Sequence, residues 1–175
     1  MKRVLKVLIV RGPTGSGKST ISKEVGNKFK DPVIVLNKDA FIHGLIPFNI
    51  VKLDQDKIFT IPMIESALKD NINVIIDGLY AGKNGSEKIE RIARTAKKNK
   101  AKFYVFNLNC SLKTSFKRID TRKGHIVTDK YVKEEKIKWY NYFYEFKYKK
   151  AIEINTEKLN QEQTINFILK KIGEK

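Results

Sequence analysis

A run of aliphatic residues, Val4-Leu5-Lys6-Val7-Leu8-Ile9-Val10, gives way at Arg11 to Gly12-Pro13-Thr14-Gly15-Ser16-Gly17-Lys18-Ser19-Thr20. Few architectures accept that junction. The aliphatic run reads as a buried strand, and the residues from Lys18 to Phe29 carry a helical pattern. Between them the spacing G-x-x-x-x-G-K-S is complete, with its strand before it and its helix behind it. Glycines let backbone N–H groups wrap a phosphate, and the N-terminus of the following helix adds partial positive charge. Lys18 is expected to reach the β- and γ-phosphates and Ser19 to coordinate Mg²⁺. Residues 12–20 are therefore the expected binding site for ATP or GTP with magnesium.

The rest of the chain alternates short apolar runs with helical patterns. Strands are expected at Val33–Leu36, Val74–Ile76, Phe103–Leu108 and Ala151–Ile154. Helices are expected over Asp56–Lys69, starting or kinking near Pro62, and from Ser86 as a cap to about Lys98. Others run from Ser111 to about Arg122, from Thr128 to about Tyr148, and from an Asn160–Gln163 capping box to Gly173. Almost wholly apolar strands separated by helices specify an α/β fold of three layers, a parallel sheet covered on both faces. The 175 residues suit one domain. Met1-Lys2-Arg3 leads straight into the first strand, and no apolar run approaches the roughly 18 residues that span a bilayer. The expectation is a cytoplasmic protein without a membrane partner. Cys110, the single cysteine, ends an apolar strand and reads as a buried structural thiol.

Charge narrows the partner. The chain has 36 Lys+Arg against 19 Asp+Glu, a formal +17. Between Arg91 and Lys150 stand 18 basic and 5 acidic residues, so +13 of that excess falls in about a third of the chain. Uniform compositional bias would spread it evenly, and a basic face for a polyanion such as nucleic acid explains it better.

Motor ATPases, switch GTPases and kinases all use such a phosphate loop. A motor of the AAA+ type places an acidic pair at a strand end, whereas here the third strand closes Ile75-Ile76-Asp77-Gly78. A switch GTPase reads guanine with N-K-x-D, and Asn37-Lys38-Asp39-Ala40 lacks the final acid and comes too early. A kinase needs an acid at the acceptor hydroxyl, an acid for the metal and cations over the moving phosphoryl group. Asp39, beyond the second strand, is the expected base, and Asp77, ending the third, is expected to hold Mg²⁺ directly or through water. Arg118 and Arg122 are four apart, share a helical face and use two of the chain's six arginines, so they are the expected cations of a lid.

The order G-x-x-x-x-G-K-S-T, N-K-D, I-I-D-G and F-K-R-x-x-x-R resembles the small P-loop kinases. Among them it is most similar to the 5′-polynucleotide kinases and their relatives, the zeta-type toxins and small-molecule kinases of the chloramphenicol phosphotransferase type. The resemblance implies a P-loop NTPase fold with five parallel strands in order 2-3-1-4-5, ATP at the loop and an arginine-bearing lid over about 113–128. It assigns catalytic roles to Lys18, Asp39, Arg118 and Arg122 and an acceptor channel beside Asp39. Ile42 stands where polynucleotide kinases tend to carry a phosphate-gripping arginine. The expected activity is γ-phosphate transfer to the 5′-hydroxyl of an RNA or DNA end. A small-molecule kinase, and a nucleotide-binding module that hydrolyses ATP slowly, stay open as alternatives.

On the acceptor side, Phe41 and Tyr80 are candidates to stack on a base, and Lys52 and Lys83 to meet phosphates. His43 reads as a surface histidine. Within 139–146, Trp139, Phe143 and Phe146 are expected to pack on the sheet, whereas Tyr140, Tyr144 and Tyr148 form a second stripe with solvated hydroxyls.

Overall fold

The computed structural model describes residues 4–38, 54–121, 133–146 and 148–174. Five strands form one parallel sheet: β1 (Lys6–Arg11), β2 (Val33–Asn37), β3 (Asn73–Gly78), β4 (Lys102–Asn109) and β5 (Ile152–Asn155). Their order is β2-β3-β1-β4-β5, the P-loop NTPase arrangement. Among the described residues the α-helices are α1 (Lys18–Asn27), α2 (Ile61–Lys69), α3 (Gly82–Lys98), α4 (Leu112–Asp120), α5 (Lys133–Glu145) and α6 (Gln161–Ile172).

Successive strand residues point to opposite faces, so each aliphatic strand feeds two cores. On one face Val7, Ile9, Val74, Ile76 and Val105 pack with Ile64 and Leu68 of α2 and Ile89 and Ile92 of α3. On the other, Leu8, Val10, Ile75, Phe106 and Leu108 pack with Ile21 and Val25 of α1 and Ile165 and Ile168 of α6. The central strand is covered from both sides, and Val7 to Val10 are fully buried. Every βα connection leaves the sheet at one edge, which gathers the ends of β1, β3 and β4 around the phosphate loop.

Several expectations shift by a turn. The helix expected from Asp56 begins as a π-helical turn, Asp56–Thr60, and becomes α-helical at Ile61; Pro62, which lacks an N–H and crowds the turn before it, follows directly on that wider turn, the irregularity a proline inside a helix is expected to cause. Helix α3 starts at Gly82, four residues before Ser86, so Ser86 is no cap. The cause is tertiary: Gly82 has φ +66°, a Cβ there would stand 2.1 Å from the Tyr142 hydroxyl, and one at Gly85 would stand 2.3 Å from the Tyr80 carbonyl carbon. Close packing, not propensity, sets that start. The Asn160–Gln163 capping box forms as expected, and Gly173 ends α6 in the left-handed conformation. Helix α4 is described to Asp120, and Arg122 and Gly124 lie outside the described residues.

Helix α5 ends at Glu145, short of the expected Tyr148, and the aromatic stripes over 139–148 sort differently from the sequence reading. Phe143 is buried, but Trp139 and Phe146 are 43% and 44% exposed. The tyrosines do the anchoring instead. Tyr140 and Tyr144 both donate to the Cys110 carbonyl, at 2.7 and 3.1 Å, and buried Tyr148 donates to Glu90 at 2.8 Å. Burial and the Glu90 carboxylate push the Tyr148 phenol up to about 12. Cys110 is buried as expected, and burial raises its thiol above the ordinary range, which suits a structural role.

The double-sided core makes a quantitative expectation. Ile9→Ala should cost about 2–5 kcal/mol in denaturant unfolding, because the middle of β1 cannot collapse around the cavity. Val4→Ala, at a side chain 47% exposed, should change stability by less than about 0.5 kcal/mol.

Candidate functional site

The phosphate loop keeps its shape because three of its residues have no side chain. A Cβ on Gly12 would stand 2.4 Å from Ser16 Oγ and 2.6 Å from the Leu108 carbonyl. Gly15 has φ +80°, and its Cβ would meet the Ser115 carbonyl at 2.5 Å. Gly17, at φ +91°, takes the N-cap position of α1. Inside the loop Ser16 N donates to the Pro13 carbonyl at 3.1 Å, and Ile21 N reaches back to Gly17 at 2.9 Å to start the helix. The first turn of α1 has no acidic residue, so nothing there cancels the positive end of its dipole. Lys18 is buried at the first position of α1, with Ser19 half-buried and Thr20 exposed behind it.

Helix α4 holds the loop from outside. Ser115 Oγ donates to the Thr14 carbonyl at 2.6 Å. Arg118 Nη1 lies 3.4 Å from the Gly15 carbonyl and 2.9 Å from Thr156 Oγ1, and its Nη2 donates to the Thr156 carbonyl at 2.7 Å. Arg118 therefore sits on the rim of the loop and ties it to the turn after β5. Ser115 and Thr156 escaped the sequence reading. Ser115 was findable, since it lies three residues before Arg118 on the same helical face; nothing in the sequence marks Thr156.

Asp77 occupies the carboxyl end of β3, in register with Val10 of β1 and Asn37 of β2, and is 1% exposed. Ser19 and Asp77 both offer oxygen donors, the ligand type Mg²⁺ selects, beside a loop shaped for phosphate. Those residues fit the ion. Among the described residues no cluster of three or more His, Cys, Asp or Glu forms a metal cage. A magnesium ion that keeps its waters and shares a nucleotide's phosphates needs none. Asp39 and Arg122 lie outside the described residues, as do Phe41, Ile42, His43 and Lys52.

The last described residue of the β2 segment, Lys38, anchors a buried polar network. Its Nζ lies 2.7 Å from Oδ2 of Asp56, which is fully buried. Tyr80 donates to Asp56 Oδ1 at 3.2 Å, Lys88 Nζ stands 3.5 Å from Oδ2, and Lys38 Nζ sits 4.3 Å from the centre of the Tyr80 ring. Tyr80 takes φ +42°, a strained conformation for an aromatic residue. It is 5% exposed, so it supports the site's wall rather than offering a face for stacking. Lys83 is exposed near the start of α3. Next to the network Arg91 grips Asp54 with both terminal nitrogens, which holds the Asp54 carboxyl below its ordinary range.

Between α4 and α5 opens a groove of about 900 Å³. Lys113, Lys117, Lys133 and Lys136 line it together with Phe116 and Ile137, and Asp120 is the one acid among its described lining residues.

A family model described as an AAA domain matches residues 7–146. The match stands beside Asp77-Gly78, where a motor's acidic pair would be. Among solved structures the chain is similar to a sugar kinase from Janibacter sp. HTCC2649, with TM-score 0.63, 14% identity and coverage of 98% of this chain and 95% of that one. It is similar to a gluconokinase from Sinorhizobium meliloti 1021, with TM-score 0.62, 16% identity and 98% of each chain covered. A chain of the Pnkp1/Rnl/Hen1 RNA repair complex superposes with TM-score 0.58 and 21% identity over 85% of this chain and 48% of that one. At these identities the likeness is one of fold. No curated protein matches the sequence.

Two outcomes are expected from this geometry. Gly15→Ala, forced into positive φ and onto Ser115, should abolish nucleotide binding, while Ser115→Ala should weaken it by a few fold, the loss of about 1 kcal/mol of hydrogen bonding; equilibrium titration with a fluorescent ATP analogue reads both. Because the folded Asp54 carboxyl titrates below its ordinary 3.8, its stabilisation is complete above that value and lost as pH falls through the lower folded one. Asp54→Asn should therefore flatten the acid limb of a stability–pH curve measured by denaturant unfolding.

Proposed function

We infer that the chain, which belongs to the P-loop kinase family described as an AAA domain, transfers the γ-phosphate of ATP to a hydroxyl. We take the acceptor to be the 5′-hydroxyl of an RNA or DNA end. The observation that carries the reading is the pairing of a complete phosphate cradle with a guanidinium, Arg118, on its rim. In this reading Gly12 to Thr20 wrap the triphosphate, and Lys18 neutralises its β- and γ-oxygens. Ser19 and Asp77 would hold Mg²⁺, which would supply neutralisation of the charge that develops on the phosphates. Asp39 orients the acceptor hydroxyl and takes its proton as the new P–O bond forms and the β–γ bridge breaks. Arg118, with Arg122 from a lid over about 113–128, covers the transferring phosphoryl group. One domain over residues 1–175 performs the whole reaction in the cytoplasm.

The nucleic-acid acceptor is supported by the lysine-lined groove between α4 and α5. A polyanionic acceptor has to approach an already polyanionic nucleotide, and four lysines flanking the lid's base offset that repulsion. One structural neighbour is part of an RNA repair complex. A small-molecule acceptor is the second reading, favoured by the whole-chain likeness to a sugar kinase and a gluconokinase.

Incubation with γ-labelled ATP and a panel of 5′-hydroxyl RNA, 5′-hydroxyl DNA, mononucleotides, nucleosides and sugars decides between them. Label should enter a strand end, and transfer should fall steeply between 50 and 200 mM salt, by about tenfold or more. Label in a sugar or nucleoside with little salt dependence would establish the second reading, and no labelled product would leave a slow ATPase. Lys18→Ala and Asp39→Asn should each abolish transfer, with Asp39→Asn still binding ATP. Full activity of Asp39→Asn would remove that residue as the base.

A further inference from the structure

Arg11 is the last residue of β1, and the mechanism gives it no part. Strand alternation turns its side chain to the face that carries α2, α3 and α5, where a charge is out of place. It is 1% exposed, and burial lowers its guanidinium to about 10, still charged at neutral pH. In register beside it stand Asn107 of β4 and, next again, Glu153 of β5, so three polar side chains form a row across three strands. Asn107 Nδ2 donates to Glu153 Oε1 at 2.6 Å, and Asn109 Nδ2 donates to the other carboxylate oxygen. Yet Nε and Nη1 of Arg11 and Oδ1 of Asn107, all buried, have no hydrogen-bond partner among the described residues. Buried donors of a charged group are costly when unmet, so something is expected to meet them.

Arg11 and Asn107 border a cavity of about 190 Å³ at the β5 edge of the sheet. Arg11, Asn107 and Glu153 make one wall, and Phe143, Tyr144 and Phe146 of the α5 segment make the other. The Phe143 ring lies 4.6 Å from the Arg11 guanidinium carbon. The space equals roughly six waters, but the aromatic wall gives them few partners. An anion would meet the Glu153 carboxylate and a cation would meet Arg11. What fits is a neutral, flat ligand with acceptors for the guanidinium and donors for the Asn107–Glu153 pair.

We propose that this cavity is a second binding site, separate from the phosphate loop, that takes a guanine base. Guanine presents O6 and N7, the acceptor pair arginine reads best, while its N1–H and N2 amino group donate from another edge. Adenine places its N6 amino group where Arg11 needs an acceptor. The inference does not rest on the kinase reading, since it involves neither the cradle nor the acceptor hydroxyl.

The test uses the full chain, ¹⁵N-labelled, titrated with guanosine, which lacks phosphates and so does not compete for the loop. Side-chain resonances of Arg11 Nε–H and Asn107 Nδ2 should shift saturably, with adenosine weaker by about tenfold or more. Asn107→Leu, checked for a native-like spectrum, should weaken guanosine by a similar factor. A short guanosine-containing single strand separates the two sources of the base: the same shifts place it within a strand, and shifts with guanosine alone place it in a free nucleoside or nucleotide. The proposal is overturned if guanosine leaves Arg11 and Asn107 unmoved, which would make the cavity a water pocket. Equal response to adenosine, or shifts confined to residues 12–20, would overturn it as well.

Discussion

Everything at this sheet edge depends on how closely α4 approaches the phosphate loop. The Ser115 carbonyl lies where a Cβ of Gly15 would be, and the Ser115 hydroxyl and Arg118 fasten the Thr14 and Gly15 carbonyls from outside. With its carbonyls held outward, the loop is free to turn its amides toward a phosphate. The contact exists because β4 is the neighbour of β1, with Arg11 opposite Asn107, so the helix after β4 starts beside the loop. Sheet order, loop shape and Arg118 placement are one constraint seen at three scales.

Helix α5 is the second organiser. Its tyrosines 140 and 144 hold the carbonyl of Cys110 at the end of β4, Tyr142 fills the space that Gly82 leaves, and Phe143 covers the Arg11 guanidinium. A single helix thus links the end of β4, the start of α3 and the residue preceding the phosphate loop. On the other side of the edge, fully buried Asp56 gathers Lys38, Tyr80 and Lys88. Removing one partner there would strand a buried charge, which costs far more than the pair contributes.

Much of this was legible in the chain. The phosphate loop was readable because its glycines, lysine and serine have fixed spacing between a strand and a helix, and the five strands because both their faces are buried. The capping box at Asn160 was readable since its two partners lie within one turn. The start of α3 was not, because Gly82 and Gly85 are poor helix formers tolerated for the sake of Tyr142 and Tyr80, residues distant in sequence. The roles of the aromatics in and just after α5 were hidden for the same reason: periodicity groups Trp139 with Phe143, but the carbonyl of Cys110 after β4, and Glu90, decide which rings go inside. The Arg11–Asn107–Glu153 row becomes visible only once strands 96 and 46 residues apart are set in register.

A crystal structure of the complex with Mg²⁺ and a non-hydrolysable ATP analogue tests the central claim most directly. The account predicts the triphosphate inside residues 12–20, Lys18 on its terminal phosphates, Ser19 and Asp77 at the metal, and both Arg118 and the Asp39 carboxylate facing the γ-phosphate. A nucleotide bound elsewhere, or Asp39 turned away from a filled cradle while Arg118 stays wholly on Thr156, would contradict it.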